Sequence, residues 1–210
     1  LTNEMNKTTD WAADELYKVD GISTIKCNWS RLFCDVERFI DDPLDSVGRG
    51  MYYTKTDCGE PFRDESTREI ALEYYKKHHD HFKKIVMDKV EENGICRIID
   101  CHTFPSVPFE CDADKEPRPD ICIGMNENTP AYFVNHFISG FEDEGLLVDI
   151  NKPYRGSIVP VGFENDVRVV SLMIEINRSL YMDEEKCFID RDKVEWLNGI
   201  FRDLTSFDFL

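Results

Sequence analysis

The sequence predicts an α/β fold, a sandwich of alternating strands and helices. Short apolar runs at 95–100, 121–124, 146–150 and 169–176 read as buried strands. Longer stretches with apolar residues near a helical period lie between and around them, and elements that alternate in this way pack as an α/β sandwich. A chain of 210 residues can bury a substantial core and suits a single domain over 1–210.

The elements follow in order. Residues 8–18 read as a helix, with Thr8 or Thr9 as its cap, Trp11 and Leu16 on the buried side and Gly21 as its stop. Apolar stretches at 22–25 and 32–34 look strand-like. Residues 41–64 carry Asp41-Asp42-Pro43, Gly48, Gly50, Gly59 and Pro61, a long loop of the kind that is often functional. A strong helix spans 66 to about 93, with Ile70, Tyr74, Phe82, Ile85 and Val90 as apolar positions and Asn93-Gly94 as its end. The strand at 95–100 leads into Asp100-Cys101-His102, which places an active site at a strand's carboxyl end, the usual location in open α/β sheets. Prolines 105, 108, 117 and 119 make 105–119 an extended loop. A helix at 129–144 ends at Gly145, a loop covers 151–156, and a terminal helix runs from about 190 to 204.

Composition excludes some functions. The net charge of −17 repels nucleic acid. It does not forbid an anionic ligand, because a local arginine cluster can bind one on an acidic protein. No apolar run reaches the ~18 residues needed to span a membrane, and no signal peptide opens the chain. The eight cysteines form no CxxC pair. Cys96, Cys101 and Cys122 fall in or beside strand-like runs, where a free thiol behaves as a small hydrophobe. Reduced thiols and a cytoplasmic location are the expectation.

Four groups of residues could carry chemistry. His102 follows a buried strand and is well placed to bind a metal through one ring nitrogen while a nearby carboxylate orients the other; a hydrogen-bonded loop histidine is the alternative. In His78-His79-Asp80-His81 only His78 and His81 share a helix face, and no general-base Glu stands between them, so these two read as a solvated face. His79 is expected to point inward, one turn from Tyr75. Glu175 lies in the middle of the apolar strand Leu172-Met173-Ile174-Glu175-Ile176, where a carboxylate is either paired with an arginine such as Arg178 or used as a general base. Arg31, Arg38, Arg155 and Arg178 flank strand-like segments and together suggest an anionic substrate.

These segments resemble one family in order. Ser30-Arg31 with Asp35-Val36-Glu37-Arg38, Tyr75-Lys76-Lys77-His78-His79, Asp100-Cys101-His102-Thr103, Arg118-Pro119-Asp120 through Gly124, Asn151-Lys152-Pro153-Tyr154-Arg155-Gly156, and Glu175-Ile176-Asn177-Arg178 through Tyr181-Met182 are similar to the successive blocks of the N-formylglutamate amidohydrolases. The resemblance covers roughly 8–185. It implies a three-layer α/β/α sandwich with a mixed sheet, phosphorylase/hydrolase-like and related to zinc carboxypeptidases and aspartoacylases. It also implies hydrolysis of N-formyl-L-glutamate, or a related small anionic N-acyl amino acid, to formate and glutamate, a step in histidine degradation. In that reading Zn2+ or another divalent metal is held by His102 and by Asp10 of the Thr-Asp-Trp block. Glu175 is the general base, and Arg31, Arg38, His79, Arg155, Asn177 and Arg178 hold the substrate.

Three departures stand out. The family's Pro-His-Ser-Gly segment would precede Leu1, so this chain is expected to lack that metal-binding segment. Glu37 stands where the motif has Asn, and Lys77 where it has Pro. They leave open a second reading, a metal-free, non-catalytic ligand-binding domain that kept the fold.

Overall fold

The computed structural model describes residues 1–110, 112 and 115–206. The chain forms two compact units, one of Leu1–Thr9, Thr24–Lys89 and Phe109–Ala113, the other of Asp10–Ser23, Val90–Pro108 and Asp114–Leu210.

The first unit contains helix α1 (Thr2–Thr8) and most of the long helix α3 (Arg68–Asn93), whose last turn belongs to the second unit. Between them the chain is irregular, with short 3-10 turns at Pro43–Val47 and Glu65–Thr67. Asp42 starts the first turn by accepting from Leu44 N, and Gly48 ends it at φ 79°. The α3 face that packs inward is Ala71, Tyr75, Phe82, Val86 and Val90, a helical stripe. Ile70 falls off that stripe and is 60% exposed, contrary to expectation. Cys34, Val36, Met51 and Tyr52 pack against Ala71 and Tyr75. The expected strand at 32–34 does not form. Its apolar residues meet the helix from an irregular loop, where no neighbouring strand satisfies their backbone. The stretch at 22–25, divided between the two units after Ser23, is likewise not a strand.

Of the helix expected over 8–18, only α2 (Ala13–Leu16) and the last residue of α1, Thr8, are helical. Thr9 is extended and Ala12 sits at φ 56°, so no continuous i→i−4 ladder can cross them.

The second unit is built on a four-stranded mixed sheet of order β1-β4-β2-β3. Its strands are β1 (Cys96–Phe104), β2 (Ile121–Gly124), β3 (Val148–Ile150) and β4 (Val169–Asn177). β1 pairs in parallel with β4, β2 runs antiparallel to β4, and β3 is parallel to β2. Val170, Leu172, Ile174 and Ile176 of β4, with Ile121 and Ile123 of β2, form one apolar face. Phe133, Val134, Phe137 and Phe141 of α4 (Ala131–Asp143), Val194, Leu197 and Phe201 of α5 (Arg191–Thr205), and Leu16 of α2 cluster with it. Asp190 caps α5 by accepting from Lys193 N. A small hairpin, β5 (Met182–Asp183) with β6 (Phe188–Ile189), was not anticipated, since two-residue strands leave no period to read. The α/β class and the mixed sheet are as expected. No helix among the described residues is long and apolar enough to cross a membrane.

Candidate active site and metal centre

Strand alternation decides which residues share the sheet's other face. The positions left over from the apolar face are Asp100 and His102 on β1, Ser171, Met173 and Glu175 on β4, and Cys122 on β2. In the register His102 lies opposite Glu175, and Glu175 lies opposite Cys122. A histidine, a buried carboxylate and a thiol therefore stand side by side on one surface.

His102 is held from both sides. Its Nε2 lies 2.8 Å from Asp100 Oδ1. A carboxylate accepts, so Nε2 carries the proton and Nδ1 keeps its lone pair in the neutral ring. Asp100 is itself fixed, because Ile158 N donates to its Oδ2 at 3.1 Å. On the other side Asp10 Oδ2 is 3.7 Å from His102 Nδ1. That is too far for a hydrogen bond and suits two donors sharing one cation, each at about 2.0–2.1 Å from a zinc ion. The arrangement of carboxylate, histidine and open lone pair is the one that metal-ligating histidines use. The donor chemistry thus fits a divalent cation at His102 and Asp10, with Asp100 behind.

The peptide unit after His102 is clasped by the segment that carries Asp10. Asp10 Oδ1 accepts from Thr103 N at 2.8 Å. The Tyr17 hydroxyl shares its proton between His102 O at 2.7 Å and Ile174 O at 2.9 Å. Burial, together with nearby Cys101 and Glu175, pushes the Tyr17 hydroxyl well up, so it stays a donor. Tyr181 OH donates to Trp11 O, and Asn198 donates to Leu16 O, which tie the same segment down. Asp10 and His102 are 92 residues apart in sequence, yet these bonds make them neighbours.

Glu175 is 7% exposed. Cys122 is pushed up to about 12, first by burial, so it stays a thiol and is no nucleophile. Asn177 donates to Pro119 O and accepts from Ser179 N and Oγ, capping the Arg178–Leu180 turn. The Arg178 guanidinium is buried and donates to Thr103 Oγ1 and O at 3.3 and 3.2 Å. Arg155 is exposed in the 151–156 loop.

The remaining expected site residues lie in the first unit. Arg31 and Arg38 both pair with Asp35 Oδ2, at 3.8 and 3.7 Å, and Tyr53 OH donates to the same oxygen at 2.9 Å. Asp35 is 1% exposed, a buried hub that sequence reading missed because its partners lie as far as 18 residues away. His79 faces inward as expected, its ring 4.1 Å from that of Tyr75 and its Nε2 2.9 Å from Val36 O. His78, expected to be solvated, is half-buried, packs on Tyr74 and His79, and is pushed down to about 4 by burial. The described cysteines are free thiols.

Two solved structures share this architecture. The crystal structure of N-formylglutamate amidohydrolase from Ralstonia eutropha JMP134 superposes with a TM-score of 0.79 at 19% identity, covering 98% of this chain and 84% of that one. A gene product of Agrobacterium tumefaciens matches with a TM-score of 0.57 at 20% identity, over 85% of this chain and 68% of that one. At such identities the likeness defines the class by fold alone, an α/β domain on a mixed sheet. A search of curated proteins returned no match. The sequence profile of the N-formylglutamate amidohydrolases, however, matches residues 2–182. The chain belongs to the N-formylglutamate amidohydrolase family, and the matched span includes residues of both units.

Proposed function

We propose that this protein is a metal-dependent amidohydrolase that cleaves N-formyl-L-glutamate, or a closely related N-acyl amino acid, to the carboxylate and the free amino acid. The single observation that carries the metal-dependent part is the placement of His102 between Asp100 and Asp10, opposite the buried Glu175. Membership of the family supports the amide as the bond cleaved.

A divalent cation at His102 and Asp10 would polarise the amide carbonyl and make a water more acidic. The chain's own groups do the rest. Asp100 holds the imidazole in the tautomer that frees Nδ1. Glu175 takes the proton of the attacking water and returns it to the leaving nitrogen. Burial of Glu175 keeps competing water away from that transfer. Arg155, Asn177 and Arg178 of the second unit keep the substrate-binding role that the family's motifs give them. The contacts of Arg178 to Thr103 and of Asn177 to Pro119 point to positioning the strand ends.

His102→Ala tests the proposal. Metal analysis and turnover of N-formyl-L-glutamate, measured on one preparation, should show stoichiometric metal and activity in the parent protein and the loss of most of both in the variant, with the fold kept. Stoichiometric zinc and near-normal turnover in the variant would sink the assignment. A parent protein with neither metal nor turnover would favour the ligand-binding reading.

A further inference from the structure

One cation beside the sheet's functional face has a setting that the expected site residues do not account for. Phe104 is two residues beyond His102 on β1 and therefore on the same face, about 7 Å further along. Arg118 lies over Phe104, its guanidinium carbon 5.6 Å from that ring and 5.4 Å from the ring of Tyr154. The two rings meet edge to face at 6.2 Å. Arg118 Nη1 donates to Pro105 O at 2.8 Å. Tyr154 belongs to the 151–156 loop, and its carbonyl receives the thiol of Cys122, the residue opposite Glu175. Pro119, the next residue, is tied to the end of β4 through Asn177.

The guanidinium is thus fixed at the joint carboxyl ends of β1 and β4, where α/β sheets bind ligands. Cation–π contact with two rings and the bond to Pro105 O hold it there, and a planar guanidinium is the group best suited to a carboxylate. Distance from His102 decides which carboxylate. With the amide at His102, an α-carboxylate stays close to it, whereas a carboxylate at the end of an extended glutamyl side chain reaches about as far as Phe104, where a long arginine side chain can meet it.

We propose that Arg118 is a specificity-determining residue that receives the side-chain carboxylate of an N-acyl dicarboxylic amino acid. The inference rests on the amide hydrolysis proposed above for the substrate's acyl end, and not for the recognition of the carboxylate itself.

The test compares Arg118→Gln and Arg118→Lys with the parent protein. Turnover is measured on N-formyl-L-glutamate and on N-formyl-L-glutamine, and calorimetric binding on L-glutamate and L-glutamine. For Arg118→Gln, KM for N-formyl-L-glutamate should rise about 10- to 100-fold, the scale of one lost charge-assisted hydrogen bond, with little change in kcat. KM for N-formyl-L-glutamine should move less than about threefold, because the neutral amide never used the charge. L-Glutamate binding should weaken in parallel, and Arg118→Lys should recover part of the loss. An equal rise for both substrates would show that Arg118 only holds the loop, and an unchanged KM for N-formyl-L-glutamate would likewise overturn the proposal. If the parent protein turns over neither substrate, hydrolysis fails as a reading, and binding decides on Arg118 alone. Selective weakening toward L-glutamate supports it, while equal or absent binding overturns it.

Discussion

Glu175 and His102 face each other across two parallel strands, and a single atom can separate their roles. Glu175→Gln keeps the shape and removes the proton acceptor. If Glu175 is the general base, kcat should drop by about 10² or more while metal content and fold are kept. A structural ion pair would instead lower the thermal midpoint and leave turnover per folded molecule near normal. Zinc content, midpoint and turnover on one preparation distinguish the two, and normal turnover with a lowered midpoint removes Glu175 from the mechanism.

His78 gives a second prediction at this scale. Its folded value, about 4, lies below its ordinary 6.5 because burial disfavours the charged ring. Between these values the unfolded chain holds a proton that the folded one does not. The contribution is therefore fully present above pH 6.5 and is lost as the pH falls toward 4. His78→Gln should flatten the fall in thermal midpoint across that window. A fall as steep as the parent's would show that His78 does not titrate in this way.

Among the elements, the glycines of β2 and α5 differ in sign. A Cβ on Gly124 would stand 2.1 Å from Gly156 O, a backbone atom that cannot swing aside. Gly124→Ala should therefore destabilise by about 1–3 kcal/mol, the usual scale of overpacking, and push the 151–156 loop off the functional face. Gly199, inside α5, has nothing within 4 Å of its Cβ position. Gly199→Ala should stabilise by about 0.5–1 kcal/mol, since alanine gains helix propensity. Denaturant midpoints of the two variants shifting in the same direction would contradict this account.

The elements also show what local pattern can and cannot disclose. β1, β2 and β4 were legible as short apolar runs, and α4 and α5 as the longer helical stretches between and after them. The 8–18 segment was misread because a local pattern does not reveal that Ala12 turns to positive φ. Leu32 and Cys34 looked like a strand because burial alone makes a residue apolar. His102 and Glu175 could be singled out from their strands, whereas Asp10 was named only through motif order. Asp10 beside Thr103, Tyr17 beneath His102 and Arg118 between two rings are long-range meetings with no local period.

Across the whole molecule, 42 acidic residues against 25 basic ones leave a strong self-repulsion. Salt shortens its reach, to about 10 Å at 0.1 M. The thermal midpoint should therefore rise as sodium chloride is added from low concentration to about 0.1 M. A flat or falling midpoint would mean that ion pairs such as Arg49–Glu4 outweigh the net charge.

β1 ends the sheet's strand order, and an end strand is where a foreign chain can add itself. At Thr103 that opportunity is closed by side chains, with Asp10 on the amide and Arg178 on the carbonyl. The residue proposed to bind metal therefore also covers an amide of the edge strand. Asp10→Ala would uncover a hydrogen-bonding edge as well as remove a ligand, and its first visible defect would be self-association in solution.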